Sequence, residues 1–173
     1  MAPALKYGLF AAASMISWQF LEYVLGLHGA HIAWGQYTSW ATELLLIGAL
    51  WRLHLHQLRG GNRYWLPLWE AWLHGLLASL VAAAGCYVFL SVYLHFINPD
   101  FPDLYLEWKV ARLRAIGQPE EDIREMARAF RWSMGPVGLP LSIAGLYLAV
   151  GLVASPLLAL WLNWRHKEIA RPA

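Results

Sequence analysis

Charge is scarce in this chain, and cysteine scarcer. Charged side chains make up 14% of the 173 residues, where a soluble domain carries about a quarter. That deficit points to lipid as the solvent for much of the surface. The single cysteine, Cys86, excludes an internal disulfide and a Cys-based zinc site. A net charge of +2 is too small to hold nucleic acid. No Ser/His/Asp or Cys/His arrangement is visible, nor a phosphate-binding glycine loop or a facing pair of mid-membrane histidines for a haem. Long internal repeats and low-complexity tracts are missing too. No catalytic residue and no cofactor is therefore assigned, although such a chain is compatible with a bound lipid.

What the chain has is apolar length. Hydrophobic residues reach 59%, and eleven tryptophans and eight tyrosines suit the aromatic belts of a membrane–water interface. From Leu76 to Leu94 no Asp, Glu, Lys, Arg or His interrupts the run. About 20 apolar residues in a helix cross a bilayer core of roughly 30 Å, and only helices or closed barrels satisfy their backbone there. Gly75, Ala78, Ser79, Ala82, Ala83 and Cys86 recur along this stretch, and their spacings of three and four are expected to put them on one narrow face, where neighbouring helices come close. The expected architecture is a four-helix transmembrane bundle forming a single membrane domain over 1–173. Its spans fall at about 7–27, 32–53, 68–97 and 135–164. The apolar run before Ala11-Ala12-Ala13 is too short for a cleaved signal peptide. In the last span Gly138, Ser142, Gly145, Ala149, Gly151 and Ser155 are small, while Pro140 and Pro156 are expected to kink it.

Between the third and fourth spans lies the polar part of the chain. Asn98-Pro99 stops the third helix. Leu104 to Ile116 reads as helix capped by Gly117, and Pro119 opens a second one. The latter carries acidic residues at its start and Arg128 and Arg131 at its end. Ile123, Met126, Ala127 and Phe130 form one apolar stripe. Residues 103–133 are thus an extramembrane amphipathic hairpin, packed on the bundle or the headgroups. Lys6, Arg52 to Arg63 and Arg165 to Arg171 fall on one side of four spans. The positive-inside rule makes that side, with both termini, cytoplasmic.

The start Leu5-Lys6-Tyr7-Gly8, the Gly60-Gly61 turn, the third helix ending Asn98-Pro99-Asp100-Phe101, the acidic helix and the Gly/Pro-rich start of the last span form a pattern. It resembles the bacterial family of small four-span membrane proteins of unknown function. The resemblance implies a multi-pass protein of the bacterial inner membrane. It supplies no activity and no catalytic residues.

Polar groups at membrane depth are costly and often functional. Glu43 lies about eleven residues into the second span, roughly 16 Å deep at 1.5 Å per residue. Counted along the antiparallel helices, Gln19, Cys86 and Tyr147 fall at similar depth, and Glu22 shares the face of Gln19 nearer the outside. The cluster reads either as a proton, cation or polar-ligand site, or as a structural Glu43 hydrogen-bonded to Gln19 or a tyrosine. Glu70 and His74 stand at i, i+4, a spacing that can reach one metal, but no matching pair exists on another helix, so an interfacial hydrogen bond is the simpler account of the pair. His54 and His56 point to different faces. His28 and His31 are placed to meet near Glu22 at the outer surface. Three functions remain: an accessory, assembly or binding subunit, packed with other membrane subunits or with copies of itself in the lipid bilayer; a small transporter or channel subunit with its site at Glu43; and a membrane enzyme, which ranks last.

Overall fold

The computed structural model describes residues 2–60 and 65–169, with residues 166–169 as backbone only. The expected turn at Gly61-Asn62, and the charges of Arg63 and Arg171, lie outside the described residues. Every regular element described is helical: α1 (Ala2–Val24), α2 (Ile32–Thr38), α3 (Trp40–Gly60), α4 (Leu68–Val92), α5 (Phe101–Ala115), α6 (Glu120–Ser133) and α7 (Gly138–Ile169). A π-helical turn, Tyr93–Ile97, prolongs α4. Among the described residues, two helical stretches are long and apolar enough to cross a membrane, Leu68–Ile97 and Gly138–Arg165.

Small residues make α4 the centre. It packs against α1 on one side and α7 on the other, and α3 closes the group against α1 and α7. A Cβ on Gly8 of α1 would lie 2.7 Å from the Ala78 carbonyl oxygen of α4. Gly75 and Gly151 do the same work between α4 and α7, facing Ser155 and Ser79 in turn. Gly75, Ala78, Ser79, Ala82, Ala83 and Cys86 are all buried, but on two faces of α4 instead of one. In α7 the small-residue expectation divides. Gly151 and Ser155 are buried, whereas Ser142, Gly145 and Ala149 point outward. Pro140 falls in the first turn of α7, where no intrahelical bond is needed from its nitrogen. Pro156 lies inside the helix, which runs on past it.

The connections set which ends meet. Gly26 (φ 73°) closes α1: the Leu27 N–H donates to the Glu22 carbonyl at 2.9 Å and the Gly26 N–H to that of Tyr23 at 2.9 Å. Gly117 (φ 76°) closes α5 with the same pair of bonds, to Leu113 and Arg114. Glycine is favoured at both because L side chains resist positive φ. At one end of the bundle the Tyr7 ring lies 5.9 Å from that of His56, and the backbone of Leu66 is held from both sides by Asn163. At the other end His28 packs on Tyr93 and Phe101. The helices α1, α3, α4 and α7 therefore alternate in direction.

The segment expected as one helix over 32–53 is instead two. The chain breaks at Ser39, α3 starts at Trp40, and it runs on to Gly60. Between α4 and α7, α5 packs against α6 and also meets α2. Phe130 of α6 stacks on Tyr105 of α5, with ring centroids 5.5 Å apart and planes 3° from parallel. Ile123 and Phe130 are buried and Met126 and Ala127 half-buried, so much of the apolar stripe is spent on α5.

Candidate functional site

The break at Ser39 has a chemical consequence. It places Glu43 in the first turn of α3, near the helix start and not eleven residues down a continuous span. There it lines a cavity of about 720 Å³ between α1, α3 and α7, together with Gln19, Glu22, Thr42 and Tyr147. Apolar side chains form most of its wall, among them Leu44, Ile47, Ile143, Leu146 and Val150. Leu44 is 67% exposed and Leu146 44%, so the wall continues onto the outer surface of the helices.

Each polar group in this cavity has a distinct standing. Gln19 is buried; its Nε2 donates to the Tyr147 hydroxyl at 3.4 Å, and its Oε1 has no partner among the described residues. Thr42 Oγ1 stands 2.7 Å from the Ser39 carbonyl and 3.2 Å from Glu43 Oε2. One hydroxyl proton cannot serve both, and the shorter bond to the carbonyl takes it. Glu43 therefore receives no donor from Thr42, and it makes no ion pair among the described residues. Glu22 is better provided. Its Oε1 accepts from Trp18 Nε1 at 3.0 Å and from the Thr38 hydroxyl, and His28 Nε2 stands 3.6 Å from Oε2.

A directed chain leads to Glu22 from outside the cavity. Asn98 Nδ2 donates to the Tyr93 hydroxyl at 2.7 Å, so that hydroxyl spends its own proton on His28 Nδ1 at 2.8 Å. In the neutral ring the remaining proton then sits on His28 Nε2, facing the carboxylate. The π turn that ends α4 contributes to this arrangement: Asn98 N–H closes it onto the Tyr93 carbonyl at 2.8 Å, setting Asn98 beside the phenol. His31 is exposed and outside the chain of bonds, although its ring passes near Gly26.

Cys86 and the Glu70–His74 pair lie elsewhere. Cys86 is fully buried in the bundle core and does not line the cavity. At the opposite end His74 Nδ1 donates to the Glu70 backbone carbonyl at 2.8 Å, turning the ring back on its own helix. Among the described residues no group of three or more His, Cys, Asp or Glu is placed to hold a metal ion. His54 is fully buried while His56 is exposed. Ser155 Oγ donates to the Ala71 carbonyl at 2.7 Å, so it must accept from His54 Nε2 at 2.8 Å, and His54 Nδ1 stands 3.0 Å from Gln57 Oε1.

A family model described as "Protein of unknown function (DUF4199)" matches residues 6–163. The chain belongs to this family. No curated protein and no solved structure matches it. The matched region takes in all of α2 to α6, most of α1 and α7, and every residue of the cavity.

Several groups that shape the site are not singled out by the sequence. Trp18, Thr38 and Thr42 read there as ordinary interfacial or helix residues. Asn163, which grips both backbone groups of Leu66 at 2.8 and 2.9 Å, is a lone amide in an apolar span. A polar residue among apolar ones was the available signal for Asn163 and Ser155.

Proposed function

We propose that this protein is an integral membrane protein of the bacterial inner membrane, with α1, α3, α4 and α7 crossing the bilayer. We infer further that it is a non-catalytic binding subunit whose cavity receives a lipid-like molecule from the membrane. The observation that carries this reading is the cavity itself, with polar groups at one end, an apolar wall, and that wall continuous with the exposed helix surface. Cavities of this size and apolar character are typical of small-molecule sites.

The distribution of polar and apolar groups supports the membrane setting. In α1 and α3 the polar Gln19, Glu22, Thr42 and His54 are buried, while Phe10, Phe20, Val24 and Leu44 are exposed. A water-soluble bundle arranges these the other way round. On α4 and α7 Leu80, Val88, Val153 and Leu157 are likewise exposed. A binding role fits better than a catalytic one because the sole thiol is outside the cavity and Glu22 is engaged by Trp18 and Thr38.

Native mass spectrometry of protein extracted with its surrounding lipid tests the reading. The wild type should retain an adduct of lipid mass. Leu146→Trp, which fills the cavity from its outer wall, should lose it while circular dichroism shows the helices intact. A wild type free of any adduct, or an adduct equally held by a folded Leu146→Trp protein, overturns it.

A further inference from the structure

We propose that the cavity selects a molecule with a primary ammonium head on an apolar chain; this rests on the reading of the cavity as a lipid-type site and names the head group. Positive charge is what its polar end lacks. Glu22 and Glu43 offer carboxylate oxygens, which only accept when ionised. The hydroxyls of Ser39 and Thr42 send their protons to backbone carbonyls, of Gln36 at 3.3 Å and Ser39 at 2.7 Å. What they turn elsewhere is lone pairs. Gln19 is only 8% exposed, and its Oε1 is an acceptor with no partner among the described residues. Among the described residues no lysine, arginine or histidine lines the cavity.

The polar end therefore holds two carboxyls and an unmet amide oxygen with no positive charge beside them; its Tyr147 hydroxyl, which accepts from Gln19 Nε2, gives its own proton to Thr42. A buried acceptor left unmet is costly, and more so when it carries charge. A primary ammonium brings one positive charge and three donors. Glu43 is the group it would meet, because the Glu22 Oε1 is already taken by Trp18 and Thr38 and its Oε2 faces His28. Gln19 Oε1 and the hydroxyl lone pairs supply the remaining acceptors. The alkyl chain lies along Leu44, Ile47, Ile143, Leu146 and Val150. A fatty carboxylate would face two acids. An alcohol brings one donor and no charge, and a quaternary ammonium brings charge without N–H donors.

The test compares four twelve-carbon probes on the whole protein in neutral-detergent micelles: dodecylamine, dodecanol, dodecyltrimethylammonium and dodecanoate. Thermal stabilisation gives a half-saturating mole fraction for each, with Leu146→Trp in the same micelles as the blank. Dodecylamine should saturate the wild type at about tenfold lower mole fraction than dodecanol, the worth of a charge-assisted hydrogen bond. It should also bind more tightly than the quaternary amine, and dodecanoate should bind most weakly. Glu43→Gln should remove most of the preference for amine over alcohol. Equal saturation by amine and alcohol overturns the head-group assignment while the cavity still binds lipid-like molecules; so does an undiminished preference in Glu43→Gln. Should no probe stabilise the wild type beyond the blank, the cavity reading itself falls. The ranking on wild type needs no variant, so it decides the head group even where Glu43→Gln does not fold. In nanodiscs, displacement of dodecylamine by added phosphatidylethanolamine identifies a bilayer aminolipid as the source, and persistence of the amine identifies a free single-chain amine.

Discussion

Single atoms decide how closely the helices approach. A Cβ on Gly151 would lie 1.9 Å from Ser79 Oγ and 2.4 Å from its Cβ, so it has nowhere to go without moving α7 from α4. Gly145, six residues earlier on the same helix, has open space where its Cβ would be. Gly151→Ala should lower stability by about 1–3 kcal/mol, the usual cost of overpacking a filled core, and Gly145→Ala should leave it unchanged. Thermal or urea unfolding of both in one detergent checks the contrast; equal behaviour would mean that the α4–α7 contact is loose. Both glycines belong to one small-residue pattern in the sequence. Which of them meets a helix depends on how α7 is rotated, and spacing alone does not set that. The same holds for the site: polarity in an apolar stretch picks out Gln19, Glu22, Glu43 and Tyr147, but it also picks out Cys86, which is turned into the core.

At the level of elements, what is written locally is what could be read locally. Gly117 closes α5 as its spacing requires, and Pro119 caps α6 just before its first residue instead of opening it. The break at Ser39 has no proline or glycine to announce it. It goes with bonds made in the fold: the Thr38 hydroxyl reaches Glu22, and the Trp18 N–H is shared between Glu22 at 3.0 Å and the Thr38 carbonyl at 3.2 Å. The hairpin also carries an electrostatic latch across its turn. Arg114 Nε donates to Glu120 Oε1 at 2.8 Å and Nη2 to Oε2 at 3.2 Å. That hydrogen bonding, aided by the guanidinium charge, holds the Glu120 carboxyl below its ordinary value. A lowered folded value means the pair stabilises the hairpin above the ordinary carboxylate range. The contribution is lost as pH falls through the lowered value. Both side chains are exposed, so salt screens the effect. In Arg114→Gln the Glu120 titration, followed by carboxyl-carbon NMR, should move up towards the ordinary range. An unmoved midpoint would show that the latch is not formed in solution.

The whole molecule turns on which way the bundle faces. Lys6 near the start of α1, Arg52 and Arg59 towards the end of α3, and Arg165 towards the end of α7 are brought to one end by the alternating helices. The Tyr7–His56 and Leu66–Asn163 contacts are at that same end. The hairpin is at the other, and its charges nearly cancel. On the membrane reading proposed above, retaining uncompensated lysine and arginine on the cytoplasmic side predicts a hairpin on the outer side. Gln118 is an exposed residue in the turn between α5 and α6, so a thiol there reports the hairpin's side directly. Cys86 is fully buried and is replaced by alanine to leave one reporter. In whole cells Gln118→Cys should react with a membrane-impermeant maleimide before lysis, as fast as it does after. A cysteine replacing Arg59 should react only once the membrane is opened. The opposite pair of outcomes would invert the bundle and place the cavity, which lies by the hairpin end with Glu22 and the start of α3, in the cytoplasmic half of the bilayer. Labelling of both in whole cells would break the alternation of the helices across the membrane and, with it, the reading of α1 and α3 as spans.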